Sequence, residues 1–339
     1  MQYRVAIIGS GFRSEIFIKL IKKLNEFLLL TGVLCRSVEK KTTLENKYSI
    51  NVFLSKKELL ASKPDFIINA VSKDNIYSET IYFLNKKIPV LQETGGNFTK
   101  IQLEHLASRV LLGQKLLIAE QYHLYPLVQA MKKIIDLNLL GEIQYVKCGY
   151  SHDYHSFNII KYLLNEKYPQ YISADKHNFM ITKTDSREGL CFSGELISTT
   201  VTNFILDFGN KVGYHCFDST SYRSTILMRH IEVVGTRGSI NDEHLKYLDS
   251  ANETIDTNLK TTNEGIFLGE TLLSYNPLLS QLDLEEATLR TLLLDMIELI
   301  KGHDFQERTI NHLNDAYLAF LAEKLTHQTK KKITKYFGN

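Results

Sequence analysis

The chain has 339 residues, 44% of them hydrophobic, and its 40 basic and 38 acidic side chains leave a formal charge of +2. That length suits two domains better than one core, and the near-neutral balance gives no polyelectrolyte footprint for nucleic acid or a membrane surface. No uninterrupted apolar run of about 18 residues exists, so no membrane-spanning helix is expected.

Taken in order, Val5 to Ile8 reads as a first strand and Ser14 to Leu24 as a helix. A second strand follows at Leu28 to Leu34 and a short helix at Lys56 to Leu60. Asp65 to Val71 is a buried apolar strand, Tyr77 to Leu84 a helix, Pro89 to Gln92 a strand, Lys100 to Leu111 a helix and Lys115 to Ala119 a strand. Short β-rich runs alternating with helices predict a doubly wound parallel sheet, with ligands at the carboxyl ends of its strands. The texture changes near Pro126. An amphipathic helix spans Leu127 to Leu137, a strand follows around Ile143 to Tyr150, and a helix runs from His155 to Leu164. Strand-like runs then succeed one another (Glu195 to Asp207, Lys211 to Asp218, His230 to Gly235), which predicts an open, largely antiparallel or mixed sheet. The polar stretch from Asn241 to Tyr275 reads as strand edges and loops. Two helices, Leu284 to Ile300 and Asn311 to Lys324, come late, with Lys330, Lys331, Lys332 and Lys335 as a solvated end to the last one. The fold class is therefore α/β, with a dinucleotide-binding domain over 1–121 and an α+β substrate and oligomerisation domain over 122–339.

Directly behind the first strand stands Gly9-Ser10-Gly11-Phe12-Arg13-Ser14. Two glycines permit a tight turn and close backbone approach to a pyrophosphate, and the following helix presents unpaired N–H groups to the anion. Ser14 replaces the third glycine of the G-x-G-x-x-G pattern, a position that governs helix–strand packing more than phosphate contact. An acidic residue about 20 positions further on would hold the adenosine ribose hydroxyls. Cys35, Arg36 and Ser37 stand there instead. A guanidinium and a hydroxyl suit a 2′-phosphate, so NADP(H) is favoured and NAD(H) remains an alternative. Ser72 and Lys73, after the strand ending at Val71, are expected beside the pyrophosphate and nicotinamide ribose.

Four further stretches, in this order and spacing, resemble the Gfo/Idh/MocA family, the glucose–fructose oxidoreductase and inositol dehydrogenase group. They are Ile88-Pro89-Val90-Leu91-Gln92-Glu93-Thr94-Gly95, Ala119-Glu120-Gln121-Tyr122-His123-Leu124-Tyr125-Pro126 with Leu140-Gly141-Glu142-Ile143, His155-Ser156-Phe157-Asn158, and Ile231 to Ile240. The resemblance implies a hydride transfer between a nicotinamide and a small polar, sugar- or polyol-like substrate. It places Glu93 at the cofactor ribose or the domain interface. The family's Glu-Lys-Pro lysine falls on Thr94 and its proline on Gly95, while the aspartate of its His-x-x-Asp falls on Asn158. In such enzymes the lysine and the histidine, here His155, lie beside the nicotinamide and the reacting carbinol. The family's extended second sheet implies a homodimer or homotetramer.

A histidine titrates near neutral pH, so His155 can exchange the hydroxyl proton unaided. Thr94 can hydrogen-bond a substrate oxygen but stabilises an alkoxide less than an ammonium would. Tyr154, Tyr122 and His123 are the nearest substitutes, and His155, Tyr154 and His123 are the candidate catalytic groups. The missing lysine also leaves open a nucleotide-binding regulatory protein, or a reductase of an imine or unsaturated substrate. The run His152-Asp153-Tyr154-His155 is too closely spaced for a metal site, and none is expected. No G-x-S-x-G elbow or Walker loop gives acyl or phosphoryl transfer a foothold. The four cysteines lack CxxC spacing and the chain opens on a strand rather than a cleavable leader. A cytoplasmic protein with reduced thiols and a small-molecule substrate is the expectation.

Overall fold

The computed structural model describes residues 2–186, 189–275, 282–325 and 329–338. Two compact units divide the chain. One comprises Met1–Gln121 with Asp283–Ala316, the other Tyr122–Leu282 with Tyr317–Phe337.

In the first unit, strands and helices alternate as the apolar runs predict. They are β1 (Tyr3–Ile8), α1 (Phe12–Lys23), β2 (Leu28–Leu34), α2 (Val38–Tyr48), β3 (Val52–Phe53), α3 (Lys56–Ala61) and β4 (Phe66–Asn69). The series continues with α4 (Ile76–Asn85), β5 (Val90–Gln92), α5 (Lys100–Leu111) and β6 (Leu116–Ile118). The six strands pair in parallel in the order β3-β2-β1-β4-β5-β6. Val5 to Ile8 and Phe66 to Asn69 are buried throughout, as a sheet covered on both faces requires. The strand order reverses between β1 and β4, so the ligand crevice of such a sheet falls beside the β1 turn. The helix α2 has no counterpart in the expected elements. Only Leu44 and Tyr48 of it are buried, and Ser37 caps it by accepting from the Lys40 amide at 3.2 Å. Capping and polar pairs, rather than an apolar stripe, hold it.

The second unit opens with a 3₁₀ turn at Tyr122–Leu124 and α6 (Pro126–Asp136), then β7 (Ile143–Gly149), α7 (Asp153–Leu164) and β8 (Tyr171–Thr182). A small hairpin, β9 (Asp185–Ser186) with β10 (Gly189–Leu190), precedes β11 (Leu196–Asp207) and β12 (Val212–Phe217). After a 3₁₀ turn at Ser219–Tyr222 come β13 (His230–Gly235), β14 (Gly238–Asn241), β15 (His244–Leu248) and β16 (Thr254–Asn258). The strands β17 (Lys260–Thr261), β18 (Gly265–Leu268) and β19 (Thr271–Tyr275) form a separate small sheet against α6. The polar stretch from Asn241 thus folds as hairpins that pair edge to edge. Among the described residues the large sheet runs β16-β15-β14-β13-β7-β12-β11-β8-β20, and only the β7–β12 pair is parallel. The helix α7 lies on β7 and β12, burying Phe157 against Phe204 with ring centroids 5.7 Å apart.

Two expectations for the C-terminal part change. The helix α8 (Leu284–Lys301) and the start of α9 (Gln306–Glu323) group with the first unit rather than the second. Thr309 Oγ1 donates to the Leu116 carbonyl at 2.8 Å, Gln306 Nε2 to Val110 at 3.0 Å, and Lys115 Nζ to Ile300 at 2.9 Å. The Lys330 to Lys332 run does not end a helix. It belongs to β20 (Thr329–Lys332), an edge strand antiparallel to the start of β8. No described helix is long and apolar enough to cross a membrane.

Candidate functional site

The β1–α1 turn is built by one glycine and left open at another. Gly9 has φ 115°, and a Cβ there would collide with the carbonyl of Ala70 just past β4. The fold itself therefore demands this glycine. A Cβ on Gly11, by contrast, would meet open space. Gly11 is the N-cap of α1, exposed, with no side chain to bond the first helical amides. A helix end left uncapped, with room above it that a Cβ would fill, fits a pyrophosphate. Ser10 is half-buried on the turn and Phe12 is 77% exposed. Ser14 is wholly buried, and its hydroxyl, without a hydrogen-bond partner, packs beside Gly9. It fills the space under the turn that a third glycine would leave.

Arg13 does not reach over the turn. Its Nε donates to Glu93 at 2.8 Å, its Nη2 to Gln121 at 3.2 Å, and its Nη1 to Glu285. The two carboxylates raise its pKa further against the opposing effect of burial. Glu93, one residue past β5, is thus occupied by the arginine of the glycine turn. Nothing in the sequence links Arg13 to Glu285, 272 residues away, and only the grouping of α8 with the first unit shows the pair.

The end of β2 offers a second cationic point. The Cys35 amide bonds the Phe53 carbonyl at 3.1 Å, fixing the chain just before Arg36. The Arg36 side chain is exposed and has no partner among the described residues. Ser37 is spent partly on capping α2, yet an accepting hydroxyl keeps its proton to donate. Ser72 and Lys73 are exposed after β4, with Ser72 Oγ accepting from Asn75 Nδ2 at 2.8 Å.

Beneath the β4 and β5 ends runs a buried polar chain that sequence reasoning missed. Asn69 Nδ2 donates to the Ile76 carbonyl at 2.8 Å and to Thr80 Oγ1 at 2.9 Å, and Thr80 Oγ1 donates to Gln92 Oε1 at 2.7 Å. Each of these side chains is at most 1% exposed. Asn69 Oδ1 is left without a partner, but the three bonds tie both strand ends to α4 and fix the level at which they end. Past it, Thr94 is half-buried and Gly95 has φ 78°. A Cβ on Gly96 would strike the ring of Phe98. The segment that the family fills with Lys-Pro thus follows a glycine path that proline, fixed near φ −65°, cannot follow.

The second unit gathers the remaining candidates at the start of α7. His152 precedes the helix, and His155, buried, lies between the rings of Tyr154 and Tyr122 at centroid distances of 4.1 and 4.3 Å. Tyr122 stacks on Tyr125 at 4.9 Å. The Arg229 guanidinium sits 4.5 Å from the Tyr150 ring centroid, a cation–π contact. Tyr222 Oη bonds Ser151 Oγ at 2.5 Å and accepts from the His152 amide at 3.0 Å, which pins the entry to α7. Burial raises the Tyr222 and Tyr150 phenols, and burial likewise raises the Asp153 carboxyl. His123 lies in the 3₁₀ turn at Tyr122–Leu124. Its ring is 5.8 Å from Tyr162, and its carbonyl accepts from Gln129 Nε2 at 2.6 Å. Asn158 is buried one helical turn after His155. His215 is a core residue stacked on Phe204 at 5.3 Å, and burial draws its pKa down to about 3. It is neutral at physiological pH. Among the described residues no three His, Cys, Asp or Glu side chains group as metal ligands.

Residues 3–94 match the model of the Gfo/Idh/MocA family, described as an oxidoreductase family with an NAD-binding Rossmann fold. The motif resemblance holds over this segment. An oxidoreductase from Agrobacterium radiobacter, solved with NAD+, L-tartaric acid and magnesium, is 12% identical with a TM-score of 0.68, covering 98% of each chain. An NAD-binding oxidoreductase from Klebsiella pneumoniae is 12% identical with a TM-score of 0.72, over 99% of this chain and 100% of its own. A candidate NADPH-dependent oxidoreductase from Desulfitobacterium hafniense is 16% identical with a TM-score of 0.69, over 100% and 99%. These likenesses span both units and concern the fold. No curated protein matches the chain in sequence.

Proposed function

We propose that the chain is an NADP(H)-preferring oxidoreductase that exchanges hydride with a small polar, sugar- or polyol-like substrate. The observation that carries the reading is the β1–α1 turn, where Gly9 is required by the fold and Gly11 is left open above an uncapped helix end. The bound nicotinamide would supply or accept the hydride. The Gly9–Gly11 turn would hold its diphosphate, Arg36 and Ser37 the 2′-phosphate, and Ser72 and Lys73 the nicotinamide-side ribose. His155 would take or return the hydroxyl proton, with Tyr154 and Tyr122 fixing its ring. NAD(H) would bind more weakly for want of the 2′-phosphate. The NAD+ complex of the Agrobacterium protein and the NADPH named for the Desulfitobacterium protein support a pyridine nucleotide in this fold.

A second reading, a nucleotide-binding protein without turnover, is favoured by one feature. Thr94 carries no ammonium at the position where the sequence resemblance places a lysine. Oxidation of NADPH followed by absorbance against a panel of aldoses, ketoses and imines separates the two. Reduction of at least one compound is expected, and His155→Ala should abolish it while leaving NADP(H) affinity within a few-fold. Undiminished turnover in that variant removes His155 from the chemistry. Tight cofactor binding with no compound reduced supports the second reading.

A further inference from the structure

The second unit holds a small polar pocket whose lining includes no residue of α7. It has a volume of 180 Å³ and lies where the ends of β8 and β11 meet the Ser219–Tyr222 turn. Lys183, Arg223 and a set of hydroxyls line it, against one carboxylate, Asp185. Two cations and one carboxylate leave the lining with a charge of +1. The Arg223 guanidinium has no side-chain or backbone partner among the described residues. Lys183 is held only loosely, with Glu195 at 3.8 Å.

Two of the lining hydroxyls are polarised in one sense, whereas that of Thr220 donates to Asp218. Thr184 Oγ1 accepts from the Thr225 amide at 3.0 Å, and Ser224 Oγ accepts from the Ile226 amide at 3.3 Å. A hydroxyl that already accepts is left with its proton to donate. The turn beneath is rigid. Asp218 accepts from the Thr220 amide at 2.9 Å, from Ser221 Oγ at 2.5 Å, from Thr199 Oγ1 at 3.3 Å and from the Thr220 hydroxyl. Its oxygens are thereby occupied inside the turn, and the Arg223 amide is tied back to the Thr220 carbonyl at 3.1 Å.

We propose that this pocket binds a phosphate group, as free phosphate or as a phosphomonoester, with Arg223 as its principal cation. A forked guanidinium beside donor hydroxyls matches a group with several oxygens on one centre. The volume is well below the roughly 300–1,000 Å³ of pockets that enclose whole ligands, so it takes a headgroup. The same turn that presents Arg223 presents Tyr222, whose hydroxyl holds Ser151 and the His152 amide. A phosphorylated substrate anchored here would therefore engage the segment that positions His155. That last link rests on the proposed function, whereas binding of the anion itself does not.

Calorimetry on the full chain, without nicotinamide cofactor, tests it with inorganic phosphate, glycerol 3-phosphate and glycerol. The wild type should bind both phosphates saturably and glycerol not at all. Arg223→Ala should weaken both by about tenfold or more, the loss of one charge-assisted fork, and Arg223→Lys should restore part of it. Circular dichroism confirms that the variants fold. Tighter binding of glycerol 3-phosphate supports a phosphomonoester ligand, and equal affinities support a free-phosphate site. Absence of saturable binding overturns the proposal. So does a loss that follows Arg36→Ala, which would place the phosphate at the nucleotide turn, with Arg223→Ala unaffected.

Discussion

The loop after β1 and the loop after β5 leave the same edge of one parallel sheet, and both turn on a glycine with positive φ, 115° at Gly9 and 78° at Gly95. After β1 the glycine preserves the family's pattern, because the Ala70 carbonyl occupies the place of any Cβ. After β5 the glycine takes a φ that proline lacks, at the position where the sequence resemblance places the family's proline. In the proposed function the first loop would present backbone to the diphosphate, and any sequence that keeps the turn would keep that role. The second should present an ammonium, and there the side chain is the function. A loop of the second kind can be lost while the strands around it stay intact, and the Asn69–Thr80–Gln92 chain shows the strand ends in full order here.

The sharpest test of this contrast lies within the first loop. Gly9→Ala forces a side chain into a positive φ and against a carbonyl. It should cost on the order of 3 kcal/mol of stability and eliminate nucleotide binding. Gly11→Ala should leave stability within about 0.5 kcal/mol, since nothing surrounds that position, yet weaken nucleotide binding by about tenfold or more. Thermal denaturation and calorimetry read the two effects separately. Equal loss of stability in both would mean that Gly11 also serves the fold.

The second loop is tested by restoring the family's residues. Thr94→Lys alone should fold normally. Adding Gly95→Pro should destabilise the protein by roughly 3 kcal/mol, because the ring cannot reach φ 78°. A double variant as stable as the wild type would show that the loop changes path without penalty, and the contrast between the two loops would fail.

Arg13 joins the loops, since it leaves the first and binds Glu93 of the second. Removing it leaves Glu93, 11% exposed at its side chain, and Glu285 without their common cation. Arg13→Ala should therefore cost about 2 kcal/mol, measured by urea denaturation at neutral pH. An unchanged stability at pH 7 would mean that solvent already serves both carboxylates.

Much of the sheet was legible because strands buried on both faces, such as Phe66–Asn69, are continuous apolar runs. The helix α2 was not, since a polar helix held by its cap carries no such period. The edge strand β20 was read as a helix end for the same reason, its lysines saying nothing about a partner. Of the site, the Gly9–Gly11 turn and the place of His155 at the start of α7 could be read locally. The ties of Arg13 and of Tyr222 could not, because each joins residues from 70 to 272 positions apart.

Arg36 extends the contrast to a third loop on that edge, where a side chain is again the function but the backbone is ordinary. Cys35 is paired to β3 through its amide, so truncating Arg36 should leave the fold untouched. What should change is discrimination. Arg36→Ala should weaken NADPH by about tenfold, or about 1.4 kcal/mol, because in the proposed function the guanidinium would meet only the 2′-phosphate. NADH, which lacks that group, should bind within twofold of the wild type. Equal losses for the two cofactors would mean that Arg36 contacts a part common to both, such as the adenine face or the ribose. The preference for NADP(H) would then have no residue behind it.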